Sequence, residues 1–216
     1  MNLIPSFRDS IFRPMADPMM DIGEVLLDTV FEDGILKDIP IIGTIAWITK
    51  ATVAIRERQL AKNTYAFIKG IREKTIPQEK LDEYRQKLED PKKADRELGY
   101  VLLLLDREIR AEKSVILGRM YAAVVDQSIS WEQFQELSEA LDRMFMADFP
   151  VLERMRYGTS LMSGVREREL HGVERLRSLG LATGTDRTWD DTAKGDRLVI
   201  SDLGKLMMEF VGGVQL

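Results

Sequence analysis

From Asp21 to Gly180 apolar residues recur at three- and four-residue spacing, and no stretch before residue 182 alternates with the period of two that a half-buried strand needs. The body of such a chain is confined to helices, about five or six of them, joined by short breaks. After Gly180 the rhythm changes. Leu179-Gly180-Leu181 leads into an apolar stretch ending at Thr185, a run from Asp186 to Asp196 rich in Asp, Thr and Gly, and a second apolar stretch from Arg197 to Ile200. Ser201-Asp202-Leu203-Gly204-Lys205 then restarts a helix through Leu206, Met207 and Phe210. Helix, Leu-Gly-Leu, strand, turn, strand, helix is the order of a winged-helix unit. The expected fold is therefore mainly α: a multi-helix bundle with a C-terminal winged-helix-like unit carrying a short β-hairpin. The expected divisions are a leader over 1–20, a helical body over 21–157 and the winged unit over 158–216. Tyr157-Gly158-Thr159-Ser160 and Ser163-Gly164 supply the turn signals at the last boundary.

The composition, 44% hydrophobic and 31% charged over 216 residues, suits a folded helix-rich protein with a sizeable core. A net charge of -5 disfavours chain-wide attraction to nucleic acid or anionic lipid, which requires clustered Lys and Arg, but leaves room for a local basic face. The absence of cysteine excludes disulfides, thiolate zinc sites and a cysteine nucleophile, and makes an intracellular setting the simplest reading. Arg8, Asp9, Arg13 and Asp17 interrupt Met1 to Met20, which reads as a cytosolic leader rather than a secretory signal.

Asp21 to Phe31 reads as a first helix stopped by Asp33-Gly34. The most apolar window follows, from Ile35 to Ile55. Its core from Ile39 to Thr49 covers about half of the roughly 20 residues a spanning helix needs, so it reads as a buried helix or a membrane-surface segment. The same helix is expected to run on through Arg56-Glu57-Arg58-Gln59-Leu60 to Arg72, with a solvated basic face of Lys62, Lys69, Arg72 and Lys74. Pro77 opens a helix to Leu88, and Asp90-Pro91 supplies a cap and first position for the next. That helix carries Val101 to Leu105, apolar all round, and is expected at the centre of the bundle. Val115, Ile116, Met120, Tyr121, Val124 and Val125 make another helical face. Ser130-Trp131-Glu132-Gln133 fits a capping box opening a helix with Phe134, Leu137, Leu141 and Phe145. Val165 to Leu179 follows, capped by Gly180.

His171, the single histidine, reads as an exposed or half-buried helical residue, and the histidine count rules out a His-rich metal site. Asp28, Glu32, Asp106, Glu108, Asp142 and Asp148 include pairs at helical spacing, which more often make ion pairs than acid–base catalysis. Neither a G-x-x-x-x-G-K-[ST] loop nor a strand-to-helix G-x-G-x-x-G is present. No cofactor, metal or catalytic residue is assigned, and the chain reads as a non-enzyme. Arg166, Arg168, Arg175 and Arg177 occupy the place of a recognition helix and are the candidate nucleic-acid contacts. Glu167, Glu169 and Glu174 are interleaved with them and the wing is acidic, so protein or self-contact is favoured over DNA. Ile39, Ile41, Ile42, Ile45 and Trp47 are the candidate partner or membrane contacts, buried at rest.

Asp38-Ile39-Pro40-Ile41-Ile42-Gly43, Arg56-Glu57-Arg58-Gln59-Leu60, Leu179-Gly180-Leu181 and Ile200-Ser201-Asp202-Leu203-Gly204, in that order, resemble the pattern of bacterial helical proteins that include the abortive-infection alpha family. The resemblance covers most of the chain and transfers no site residue. It implies a role in phage defence without a recognised catalytic motif. Two function classes follow: a non-enzymatic sensor or effector, cytoplasmic or peripheral to the inner membrane, acting by protein or membrane contact, or a DNA-binding regulator using the C-terminal unit.

Overall fold

The computed structural model describes residues 3–12, 39–48, 55–156, 167–184 and 198–212, which hold ten helices and two strands. In chain order they are α1 (Ile4–Phe12), α2 (Pro40–Ile48), α3 (Ile55–Arg72), α4 (Gln78–Lys87), α5 (Pro91–Arg107), α6 (Ala111–Val125), α7 (Trp131–Arg143), α8 (Asp148–Arg156), α9 (Glu167–Ser178), β1 (Ala182–Gly184), β2 (Leu198–Ile200) and α10 (Asp202–Val211). The expected helix at Asp21–Phe31, the join between α2 and α3, the turns at 157–164 and the acidic wing at 186–196 lie outside the described residues. Contacts divide the chain into residues 1–134 and 135–216.

In residues 1–134 the hub is α6, in which every residue except Glu112 and Arg119 is buried. Its closest partner is α3. A side chain at Gly118 would overlap the Phe67 carbonyl oxygen, and one at Gly70 would overlap that of Val115, so only the missing Cβ atoms let these backbones approach so closely. Aromatic rings extend the core: Phe7 on Phe67, Phe67 on Tyr121, and Tyr121 on both Tyr84 and Phe134, with centroids 5.6–6.1 Å apart.

Residues 4–12, within the expected leader, form α1, which buries Phe7, Ser10 and Ile11 and packs on α2, α3, α4 and α5. One expectation is corrected here. The Val101–Leu105 run is not a bundle centre. Val101 and Leu105 continue a buried stripe with Ala94, Glu97 and Leu98, whereas Leu103 is 64% exposed. Five consecutive apolar residues circle the helix, but among the described residues a neighbour covers only one side.

The local punctuation is as expected. Asp90 caps α5 by accepting the Lys92 N–H at 3.1 Å, with Pro91 in the first turn. Ser130 and Gln133 form the reciprocal capping box: Ser130 N–H donates to Gln133 Oε1 at 2.8 Å, and Gln133 N–H to Ser130 Oγ at 3.2 Å. Phe134, Leu137 and Leu141 are buried on α7, but Phe145 lies past its end and is exposed.

Residues 135–216 build their own core from Phe149, Leu152 and Met155 of α8, Leu176 of α9, Leu181, and Met207 and Val211 of α10. Gly180, at φ +73°, turns the chain out of α9. Gly180 N–H donates to Arg177 O and Leu181 N–H to Leu176 O, the paired bonds of a Schellman cap, with both leucines fully buried. β1 and β2 are antiparallel, Ala182 opposite Ile200 and Gly184 opposite Leu198.

Candidate interaction surfaces

Ile39, Ile41 and Ile42 are core residues, at most 1% exposed. They lie at the start of α2, whose first N–H groups have no partner within the helix. One is satisfied from another helix: Ile41 N–H donates to Ser10 Oγ of α1 at 3.0 Å, and the Ser10 hydroxyl donates to Ser6 O at 2.7 Å. Thr44 Oγ1 also reaches Ser6 Oγ at 3.0 Å. Of the most apolar segment, Ile39, Ile41 and Ile42 are thus buried where α1 packs on α2, and the two helices are tied through three hydroxyls. Ile45 and Trp47 belong to α2, but their side chains lie outside the described residues.

The four candidate arginines separate. Arg166 lies outside the described residues, as does the Arg168 side chain, while Arg177 is exposed on α9. Arg175 is engaged internally. Its Nε donates to Asp148 Oδ2 at 2.7 Å and Nη2 to Oδ1, while its guanidinium lies 4.2 Å from the Phe145 ring centroid. Asp148, fully buried, also accepts the Phe145 N–H at 2.7 Å. Charge-assisted bonds from Asp148 hold the Arg175 guanidinium above its ordinary range. This fork fastens α8 to α9 and removes Arg175 from base reading.

His171 is exposed, and no group of three His, Asp or Glu side chains among the described residues is arranged to hold a metal. Asp106 is gripped by Arg56, whose Nε donates to Oδ1 at 2.9 Å, and Glu108 Oε1 accepts the N–H groups of Ile109 and Arg110, each at 2.8 Å. Asp28 and Glu32 lie outside the described residues. Buried Glu97 accepts the Tyr84 hydroxyl at 2.7 Å, and the fully buried Tyr121 sits beside that pair. Desolvation first, then the neighbouring Glu97 charge, push the Tyr84 phenol far above its ordinary range; burial does the same to Tyr121. Both phenols stay protonated at neutral pH. The arrangement is one buried Tyr84–Glu97 hydrogen bond with the Tyr121 ring packed edge-on against Tyr84. No described helix is long and apolar enough to cross a membrane.

One surface escaped the sequence reading. The outer face of α5 lines a shallow, largely apolar depression with Gly99, Leu102 and Leu103, joined by Leu3 and Leu60, with Asp95, Arg96 and Asp106 also along it. The signal was present in the run Val101 to Leu105, which is longer than one buried stripe can use.

Comparison of the chain with protein-family models, curated proteins and solved structures returns no match in any of the three.

Proposed function

We propose that this chain is a non-enzymatic interaction protein of the abortive-infection type, in which release of α1 uncovers α2 for a protein partner or the inner face of the membrane. The observation that carries the reading is the cover itself. Ile39, Ile41 and Ile42 are sequestered beneath α1, and the Ser10 hydroxyl caps α2 from outside that helix. Each large apolar side chain so buried contributes about 1.5–3 kcal/mol, so an uncovered α2 needs another apolar surface. Ser10→Ala orphans the Ile41 N–H without removing apolar packing. It is expected to weaken the cover by about 1–3 kcal/mol and to raise co-sedimentation with phosphatidylglycerol vesicles or cross-linking to a partner. Expression of the wild type in a phage-sensitive bacterium is expected to reduce plaque formation. If Ser10→Ala keeps its helical circular dichroism, neither form binds vesicles or a partner, and plaque numbers are unchanged, the reading fails.

A second reading treats α9, β1, β2 and α10 as a winged-helix unit that binds DNA. Its support is the element order together with exposed Arg177 on α9. Arg175, tied to Asp148, argues against it. DNA retention that falls steeply with salt and is lost in Arg177→Glu would favour this reading over the first.

A further inference from the structure

The face of α5 that points away from the core carries its groups in an order that matches its own reverse. Arg96 stands five residues before position 101 and Asp106 five after; Gly99 stands two before and Leu103 two after; Asp95 stands six before and Arg107 six after. When two copies of a helix pack antiparallel about a two-fold axis, residues equidistant from the centre meet. About position 101, each Arg96 therefore faces an Asp106 of the other copy, each Asp95 faces an Arg107, and each Leu103 faces a Gly99. Opposite charges meet at both ends, and the large exposed apolar side chain of the helix meets a residue with none.

We propose that the outer face of α5 is a self-association surface, at which a second copy of this chain docks antiparallel about position 101.

The surroundings suit that occupant. Leu103 is 64% exposed and lies with Gly99, Leu102, Leu3 and Leu60 along one shallow depression, so two such faces can share one apolar seam. At Gly99 an added Cβ would meet Ile4 Cδ1 at 3.9 Å, an ordinary van der Waals contact, so the position is uncrowded and the missing side chain lets a second backbone come close. Asp106 is bound by Arg56 within its own chain. A carboxylate accepts from two directions on each oxygen, so Arg96 of a second copy completes a pair of guanidiniums around it. Leu103 supplies most of the attraction. The charges set direction and register, since exposed ion pairs add little affinity while like charges placed face to face oppose docking.

The inference concerns a different helix from α1 and α2, and its test needs neither lipid, phage nor DNA. Sedimentation equilibrium of the full chain is expected to show a dimer. Leu103→Asp should weaken it by roughly ten- to hundredfold, the loss expected for one large apolar side chain. Arg96→Glu and Asp106→Arg each place like charges opposite one another and should each dissociate the homodimer. Mixed in equal amounts they should pair again. The glutamate introduced at position 96 of one chain then faces the arginine introduced at position 106 of the other, while Asp106 of the first faces Arg96 of the second. Arg96 and Leu103 are exposed, whereas Asp106→Arg also gives up the pair with Arg56, so circular dichroism and a urea midpoint check that each chain remains folded. A monomeric wild type would overturn the proposal and leave the face to a different occupant or none. So would a dimer that Leu103→Asp leaves intact, or charge-reversed chains that associate no better mixed than alone.

Discussion

Gly118 and Gly70 set the separation of α3 and α6, because each would drive a Cβ into a carbonyl oxygen of the other helix. Backbone cannot yield as a flexible side chain does, so Gly118→Ala should force the helices apart. It is expected to cost about 1–3 kcal/mol even though alanine favours a helix by about 1 kcal/mol over glycine. Urea denaturation measures the loss, and an unchanged or raised midpoint would show that the pair is not held at contact. Arg175 teaches the converse lesson about legibility. In sequence it is one of four arginines flanked by glutamates, and nothing local separates it from exposed Arg177. Its partner Asp148 lies 27 residues away and Phe145 precedes that aspartate by three, so only the fold shows that Arg175 is a fastening between helices. The reverse holds for Ser130 and Gln133, whose reciprocal bonds span three residues and are written in the sequence itself.

At the scale of elements, what sequence disclosed was what short-range chemistry decides. Asp90-Pro91, the capping box and Gly180 each end or begin a helix through bonds reaching at most five residues, and all appear where expected. Which side of a helix is covered depends on neighbours far along the chain. That is why Val101 to Leu105 passed for a core centre while α6, with Lys113 and Ser114 among its buried residues, did not. The Leu-Gly-Leu and Ser-Asp-Leu-Gly pieces show an intermediate case: recognisable singly, but joined only in the structure. Leu181 O accepts the Ser201 N–H at 3.0 Å, and the Ser201 hydroxyl donates to Gly180 O at 2.6 Å. The same hydroxyl accepts the Gly204 N–H at 3.0 Å as the cap of α10. A Cβ at Gly204 would overlap Leu181 O, the carbonyl that receives this bond. Gly204→Ala is accordingly expected to destabilise by about 1–3 kcal/mol and to speed amide exchange at Ser201 first. Uniform exchange rates across residues 198–212 in wild type and variant would contradict it.

For the molecule as a whole, the charge balance makes acid the condition to which the fold should be most sensitive. The net charge of -5 rests on 36 acidic residues against 31 Lys and Arg, and several of the acids gain cationic partners only on folding. Arg56, by hydrogen bond above all, holds the Asp106 carboxyl below the ordinary carboxylate range, and Lys74 and Lys80 do the same to Asp126, each at 2.7 Å. The unfolded chain takes up these protons near pH 4, whereas the folded chain resists until the pH is lower. Between those points the unfolded state binds more protons, so stability rises with pH across that range. The contribution is therefore fully present above about pH 5 and is lost as the pH drops through the folded-state values. Asp126 also bridges separate parts of the fold. Its Oδ1 receives Lys80 of α4 and its Oδ2 receives Lys74, which follows α3, so neutralising it loosens the C-terminal end of α6 from both. The urea midpoint is expected to hold between about pH 6 and 8 and to decline below about pH 5, with a shallower decline in Asp126→Asn, which starts from a lower midpoint and has no proton to take up. A wild-type midpoint that stays level down to about pH 3, or an Asp126→Asn profile parallel to the wild type throughout, would show that these ion pairs are not what acid removes.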